Sequence, residues 1–240
     1  LEKIIFTNIE GVPLTYQPQP AFKVIPEWYK NTDSYIGTEK KPMGEGRTSA
    51  TIKRCMPVFD AMVSGYIITS YVDVYVSQRE LVEAETGKET GKFITYYEWP
   101  SYKPIEFHPL EQAPNHPLSN EEAYPKWINS WGIKTPPGYS TLFITPLHRD
   151  LPFTIVPGVV DTDTYTAAVN FPFVLNNKNF EGLIPAGTPI AQAIPFERKS
   201  WEMEIGNSED FEKQLKDSIL LRTRFFDSYK HIFRQVKEYK

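Results

Sequence analysis

Twenty-one prolines are spread through a chain of 240 residues, and nothing else in the sequence restricts its fold as much. Proline lacks a backbone N–H and clashes with the preceding helical turn, so long helices are excluded over most of the chain before Ser200. Short strands joined by turns are expected instead. Strand patterns run from Lys3 to Thr7, Thr51 to Arg54, Ser64 to Val76 and Phe93 to Trp99, with Val72, Val74 and Val76 alternating with Asp73 and Tyr75. PEWYKNTDSYIG from Pro26 offers one helical turn, and KPMGEGR at Lys41 to Arg47 reads as a linker. The segment VEAETGKETGK from Val82 reads as a hairpin loop. It fails the P-loop spacing because Gly87 and Gly91 are four apart and Phe93 follows Lys92. Pro136-Pro137-Gly138 turns into a strand at Tyr139 to Thr145, and further short strands follow Gly158 and lie at Phe171 to Leu175 and Ile190 to Ile194. After Asn207 the pattern changes. Phe211, Leu215, Ile219, Phe226, Tyr229 and Phe233 predict an amphipathic helix with Asn207 as cap, Asp210 in the first turn and a break near Arg222 or Asp227.

With 40% hydrophobic, 14% aromatic and 23% charged residues, the chain can bury a core and is not disordered. We read residues 1–240 as a single domain, with strands and long loops over 1–130, a barrel core at 131–198 and a helical segment at 207–240. A net charge of −4 and a pI near 5.7 leave no basic field, so no extended nucleic-acid surface is expected. The tail from Lys213 to Lys240 holds eight Lys/Arg against three Asp/Glu and reads as a solvated face. The single Cys55 excludes an intramolecular disulfide framework and fits a buried structural thiol better than a nucleophilic thiolate beside Arg54. Ala61 to Val76, the most apolar stretch, is broken by Ser64, Ser70 and Asp73 and is shorter than the roughly 20 residues of a membrane helix. LEKIIFTNIEG at the start shows no signal-peptide pattern, so the expectation is a soluble protein with no membrane partner.

Chemistry-bearing residues gather after the Pro157-Gly158 turn. Asp161 and Asp163 are two residues apart, a spacing that on extended backbone points both carboxylates to one side, where they can share a cation or a water. The same two residues can instead cap backbone N–H groups in an Asx-turn. His108 and His116, each followed by proline, reach a common metal only by tertiary convergence with Glu106 or Glu111, and loop histidines are the simpler reading. Trp127 and Trp131 in the same Pro-rich stretch suit either a ligand groove or a loop pinned to the barrel.

GVVDTDTY at Gly158 to Tyr165 and GLIPAGTPIAQAIPFER up to Arg198 resemble the second half of a deoxyuridine-triphosphatase (dUTPase) type barrel. The resemblance implies a mainly β fold, a distorted barrel of the dUTPase-like or β-clip type with Pro-rich loop decorations and a C-terminal helix. It also implies a trimer with sites between subunits. In a nucleotide site of that kind Asp161 would be the catalytic base, with Arg149, Asp163, Tyr165 and Gln192 binding the ligand. One extra residue separates Asp161 from Tyr165, no Arg-Ser-Gly segment precedes Gly158, and SGYII at Ser64 to Ile68 has Ile67 where the family has an acid.

Nearly the whole chain also resembles an uncharacterised protein of T4-like marine cyanophages, through PEWYK, ATIKRCMPVFDAMVSGYII, WINSWGIKTPPGYSTLF and RTRFFDSYK. That likeness implies a place in the host cytoplasm or the virion. It supplies no catalytic residue and no cofactor. A binding, assembly or interaction module is therefore the leading functional expectation, with a nucleotide or another phage protein as partner and nucleotide hydrolysis as the alternative. A further alternative starts from His148-Arg149-Asp150, which resembles the iron-binding pair of 2-oxoglutarate oxygenases, with His231 as the remaining downstream histidine.

Overall fold

A computed structural model describes residues 2–8, 14–44, 47–82, 89–96, 104–109, 112, 116–117, 124–223 and 227–240. Two compact units emerge from the chain, one from Leu1–Ala21 with Gly65–Arg198, the other from Phe22–Ser64 with Lys199–Lys240. The first is β-rich, and every strand pairing among the described residues is antiparallel. Its strands are β1 (Ile5–Asn8), β2 (Gln19–Pro20), β5 (Tyr66–Thr69), β6 (Val74–Val82), β7 (Glu89–Tyr96), β8 (Ile105–His108), β9 (Tyr124–Trp127), β10 (Trp131–Lys134), β11 (Tyr139–Ile144), β12 (Phe153–Ile155), β13 (Gly158–Val160), β14 (Phe171–Leu175), β15 (Gly182–Ile184) and β16 (Pro189–Glu197), the numbers 3 and 4 belonging to the second unit. They form sheets ordered β13-β11-β16-β5-β2, β12-β14-β9-β8, β15-β6-β7 and β1-β10. The chain is thus mainly β, and no ring of pairings closes these sheets among the described residues.

Packing explains why such short strands hold. Trp127 lies against Phe173 with centroids 5.2 Å apart and against Phe153 at 5.4 Å, while Phe143 meets Phe171 at 5.5 Å. All five are nearly fully buried and belong to one core with Ile68, Val74, Ile105, Ile133 and Ile155. Each such side chain contributes about 1.5–3 kcal/mol on removal from water. Trp127 therefore serves as a core residue. The Pro-rich stretch that carries it supplies β8 and β9, and Lys126 of β9 pairs with Glu106 of β8 at 3.1 Å. Glu111 and the residues of the β6–β7 connection, 83–88, lie outside the described residues.

The second unit holds β3 (Pro42–Gly44), β4 (Arg47–Thr48), α1 (Glu27–Asn31), α2 (Met56–Val63) and α3 (Ser208–Thr223). Several local expectations change here. The KPMGEGR segment is a β3–β4 pairing rather than a plain linker, and Thr51 to Arg54 is a 3-10 turn, because the Thr51 hydroxyl accepts the Lys53 N–H and caps it. Cys55 is exposed, since it sits at the cap of α2, where the side chain leaves the helix outward. Asn207 caps α3 as expected, its Oδ1 taking the N–H of Glu209 at 2.9 Å while Asp210 takes the N–H of Asn207 at 2.9 Å, a reciprocal box. The helix is described as far as Thr223, and a π-helical turn lies at Tyr229–Phe233; Phe226 lies outside the described residues.

The basic tail is not merely solvated. Arg234 grips Asp60 of α2 through Nη2 at 2.6 Å and Nε at 3.1 Å, Lys237 adds a bond of 3.0 Å, and Arg54 pairs with Asp227 at 2.5 Å. These pairs join positions more than 170 apart in sequence. The paired cations hold Asp60 and Asp227 below the usual carboxylate range.

One glycine is required by its surroundings. Gly65 has φ +69°, and a Cβ there would stand 2.0 Å from the carbonyl oxygen of Ala193 on β16. Gly65→Ala is expected to destabilise the chain by about 3 kcal/mol, through backbone strain plus the clash, measured as a lower urea midpoint.

Candidate functional site

The five-stranded sheet builds the acidic loop from its register. β13 pairs with β11 so that Val160 stands opposite Thr141, which brings the next residue, Asp161, level with Ser140. On the other side of β11, Tyr139 stands opposite Glu197 of β16, so Arg198 follows directly beside Gly138 and donates its N–H to the Gly138 carbonyl at 2.8 Å. The chain then turns, with the N–H groups of Thr164 and Tyr165 donating to the Asp161 carbonyl at 3.1 and 2.8 Å. Thr162 points inward, fully buried, with its hydroxyl 2.8 Å from those of Thr135 and Thr141.

Its two acidic neighbours meet one guanidinium. Arg198 donates from Nη1 to Asp163 at 2.9 Å, to the Tyr139 carbonyl at 2.9 Å, to Ser140 Oγ at 3.2 Å and to Asp161 at 3.3 Å, while its Nη2 donates to the second oxygen of Asp163. Asp163 also accepts the Gly138 N–H at 2.8 Å, and its side chain is 7% exposed. Asp161 accepts the Ser140 hydroxyl at 2.6 Å and keeps its side chain 64% exposed. Asp163, not Asp161, therefore holds a backbone N–H with its carboxylate. The Arg198 guanidinium, helped by the Gly138 N–H, holds the Asp163 carboxyl down to about 2. Arg198 is the residue that sequence reading missed. The signal available was its place at the end of the strand that faces the Pro-Pro-Gly turn.

The remaining candidates lie elsewhere. Gln192 is fully buried in β16 and accepts the Leu147 N–H at 2.9 Å, which fastens the turn carrying His148 and Arg149. His148 takes φ 56° in that turn, a region open to His more readily than to most side chains. Burial pushes the Arg149 guanidinium below its ordinary value. Gln192 and Arg198 are six positions apart on extended chain, roughly 20 Å at 3.3 Å per residue. The structure thus gathers Asp161 and Asp163 around Arg198 and sets Gln192, with the Arg149 turn, toward the other end of β11. Tyr165 is 51% exposed beside the acidic loop. Among the described residues no group of three or more His, Cys, Asp or Glu side chains converges as a metal site, and His231 belongs to the other unit. His108 holds Gln112 at 2.5 Å. A cleft beside Trp127 and Ser130 is too narrow for a water molecule, and it leaves Trp127 Nε1 and Ser130 Oγ buried without hydrogen-bond partners.

The depressed pKa sets a pH window. Because the folded Asp163 titrates near 2 and an unfolded aspartate near about 3.9, its contribution to stability is complete above about pH 4 and is lost as the pH falls toward 2. Asp163→Asn should therefore be less stable than the parent at neutral pH, with the gap in urea midpoint closing between about pH 4 and pH 2.

No protein-family model matches the chain, and no curated protein matches it.

Proposed function

We propose that this chain is a binding or assembly module of the kind carried by T4-like marine cyanophages, working in the host cytoplasm or the virion. In this reading its β-rich unit is a dUTPase-like, β-clip type arrangement that serves recognition without catalysis. The observation that carries it is an apolar row at the β13 edge of the five-stranded sheet. Val159 of β13 stands beside Leu142 of β11, and Leu142 beside Ile194 of β16. Phe143 faces the core, so Leu142 and its row face the opposite way. Val159 is 60% and Phe196 40% exposed, and the half-exposed Tyr165 follows the acidic loop. An apolar row edged by an aromatic side chain suits contact with another phage protein.

The acidic loop supports the same conclusion. A phosphate grip needs a guanidinium with donors to spare, whereas Arg198 spends its donors on two carboxylates, a hydroxyl and a carbonyl. A base needs a carboxylate whose charge is not already met by a cation, and Asp161 touches Arg198. The nucleotide-hydrolysing alternative draws on one observation, the exposure of the Asp161 carboxylate beside Tyr165.

The two readings part in one assay series. A panel of deoxynucleoside triphosphates should give neither a thermal shift nor turnover, and Asp161→Asn should leave the melting temperature nearly unchanged. Hydrolysis that Asp161→Asn removes at unchanged melting would overturn the module reading. Val159→Lys and Phe196→Ser should each cost less than about 0.5 kcal/mol, as expected of surface positions left open for a partner.

A further inference from the structure

The tail of the second unit is held by two ion-pair contacts of opposite sign. Asp227 of the tail meets a cation, Arg54, whose Nε and Nη2 reach its two carboxylate oxygens at 3.1 and 2.5 Å. Seven positions on, Arg234 meets an anion, Asp60, and Lys237 joins it at 3.0 Å. The receiving groups are set for such an occupant. The Arg54 guanidinium lies over the Tyr35 ring at 5.6 Å, and the Phe59 ring beside Asp60 takes the Arg234 guanidinium at 5.7 Å. Phe59 is itself placed by Tyr29, 5.8 Å away, whose hydroxyl donates to the Lys53 carbonyl at 3.0 Å. A carboxylate next to an aromatic ring recognises a guanidinium by charge and by the ring's quadrupole together. Among the tail's apolar side chains, Tyr229, Ile232 and Val236 are 38%, 36% and 67% exposed, so charge carries more of the contact than apolar burial does.

We propose that Arg54 and Asp60 form a docking surface for a peptide segment of another protein, one with an acidic residue seven positions before an arginine, and that the tail is its displaceable occupant within the chain. The surface belongs to the second unit and does not depend on the sheet edge. The Arg54 and Asp60 side chains are 25% and 10% exposed, and among the described residues their ion pairs are all with the tail. With the tail lifted, each would be a largely desolvated charge without a counter-charge, a strongly unfavourable state. The tail therefore leaves by replacement, as an incoming segment supplies an acid to Arg54 and a cation to Asp60. Tethering keeps the tail at a local concentration in roughly the millimolar range, so a contact that is weak between separate molecules closes the surface within one chain. Only the open fraction binds a partner, whose apparent affinity is lowered by that fraction. Opposite signs at the two points also fix the direction of the segment, since a reversed one would set an acid against Asp60 and an arginine against Arg54. A nucleic acid or an anionic lipid would meet Arg54 but be repelled by Asp60.

A fluorescein-labelled synthetic peptide of residues 227–240 is the probe, and the full chain is the receptor. With Asp227→Asn, Arg234→Ala and Lys237→Ala together loosening the tail, the chain should bind the peptide at least about tenfold more tightly than the parent does, read by fluorescence anisotropy. Adding Asp60→Asn to the loosened chain, or reversing the order of the peptide, should each remove at least about tenfold of that affinity. The parent supplies a second measurement that needs no variant to fold. Unlabelled peptide in excess should speed amide hydrogen exchange in the isotope-labelled parent's own residues 227–240 without changing that of β5. Equal affinity of the parent and a folded loosened chain, affinity indifferent to Asp60 or to peptide order, or tail exchange unmoved by the peptide would each overturn the proposal. So would a parent whose mass doubles with concentration and reverts in the loosened chain, because the occupant would then be the tail of a second copy.

Discussion

The antiparallel pairing of β11 with β16, from Tyr139↔Glu197 to Ile144↔Gln192, is the contact on which the β-rich unit depends. It places β16 between β11 and β5 and so makes it the middle strand of the five-stranded sheet. Ala191 and Ala193, both fully buried, turn into the core, and Gly65 accepts the approach of the Ala193 carbonyl just before β5. A larger side chain at 191 or 193 would press into the packed core, and a Cβ at Gly65 would meet the Ala193 carbonyl.

The same register divides the polar chemistry. At one end of the pairing, Arg198 leaves β16 next to the Gly138 turn and collects Asp161, Asp163 and Ser140. Toward the other end, Gln192 satisfies the Leu147 N–H from inside the sheet. Two polar clusters along one strand pair hold two turns, and each answers a local need: buried or crowded backbone donors must be paired. The Asp163–Arg198 contact is bidentate and backed by a backbone N–H, a geometry that fixes a loop more firmly than a single surface ion pair.

The second unit is organised by charge more than by apolar volume. Asp60, one turn from the end of α2, binds two cations of the last segment, and Arg234 also lies over the Phe59 ring at 5.7 Å. Removing one member of such a half-buried set leaves the others desolvated and unpaired, so these contacts specify where the tail docks as much as how strongly. α3 follows a different rule. Its local signals, cap and periodicity, suffice to define a helix whose Phe211, Leu215 and Ile219 are 63%, 49% and 51% exposed.

What the sequence by itself determined was local. Proline and glycine spacing marked the turn at Gly138, alternation marked the strand through Val74 and Val76, and the Asn207 cap with its helical spacing marked α3, because each of these signals acts over a few residues of chain, whereas Gly158, read as a turn, opens strand β13. Thr51 to Arg54, read as a strand, is a capped turn, since the Thr51 hydroxyl supplies a hydrogen bond that apolar pattern does not register. The tertiary structure alone decided that Trp127 joins the core, that Arg234 reaches Asp60, and that Arg198 holds both acids of the loop. Those outcomes depend on contacts over separations of 35 to more than 170 residues, set by strand order and register in the β-rich unit and by the docking of the tail on α2 in the other, and no local pattern encodes them.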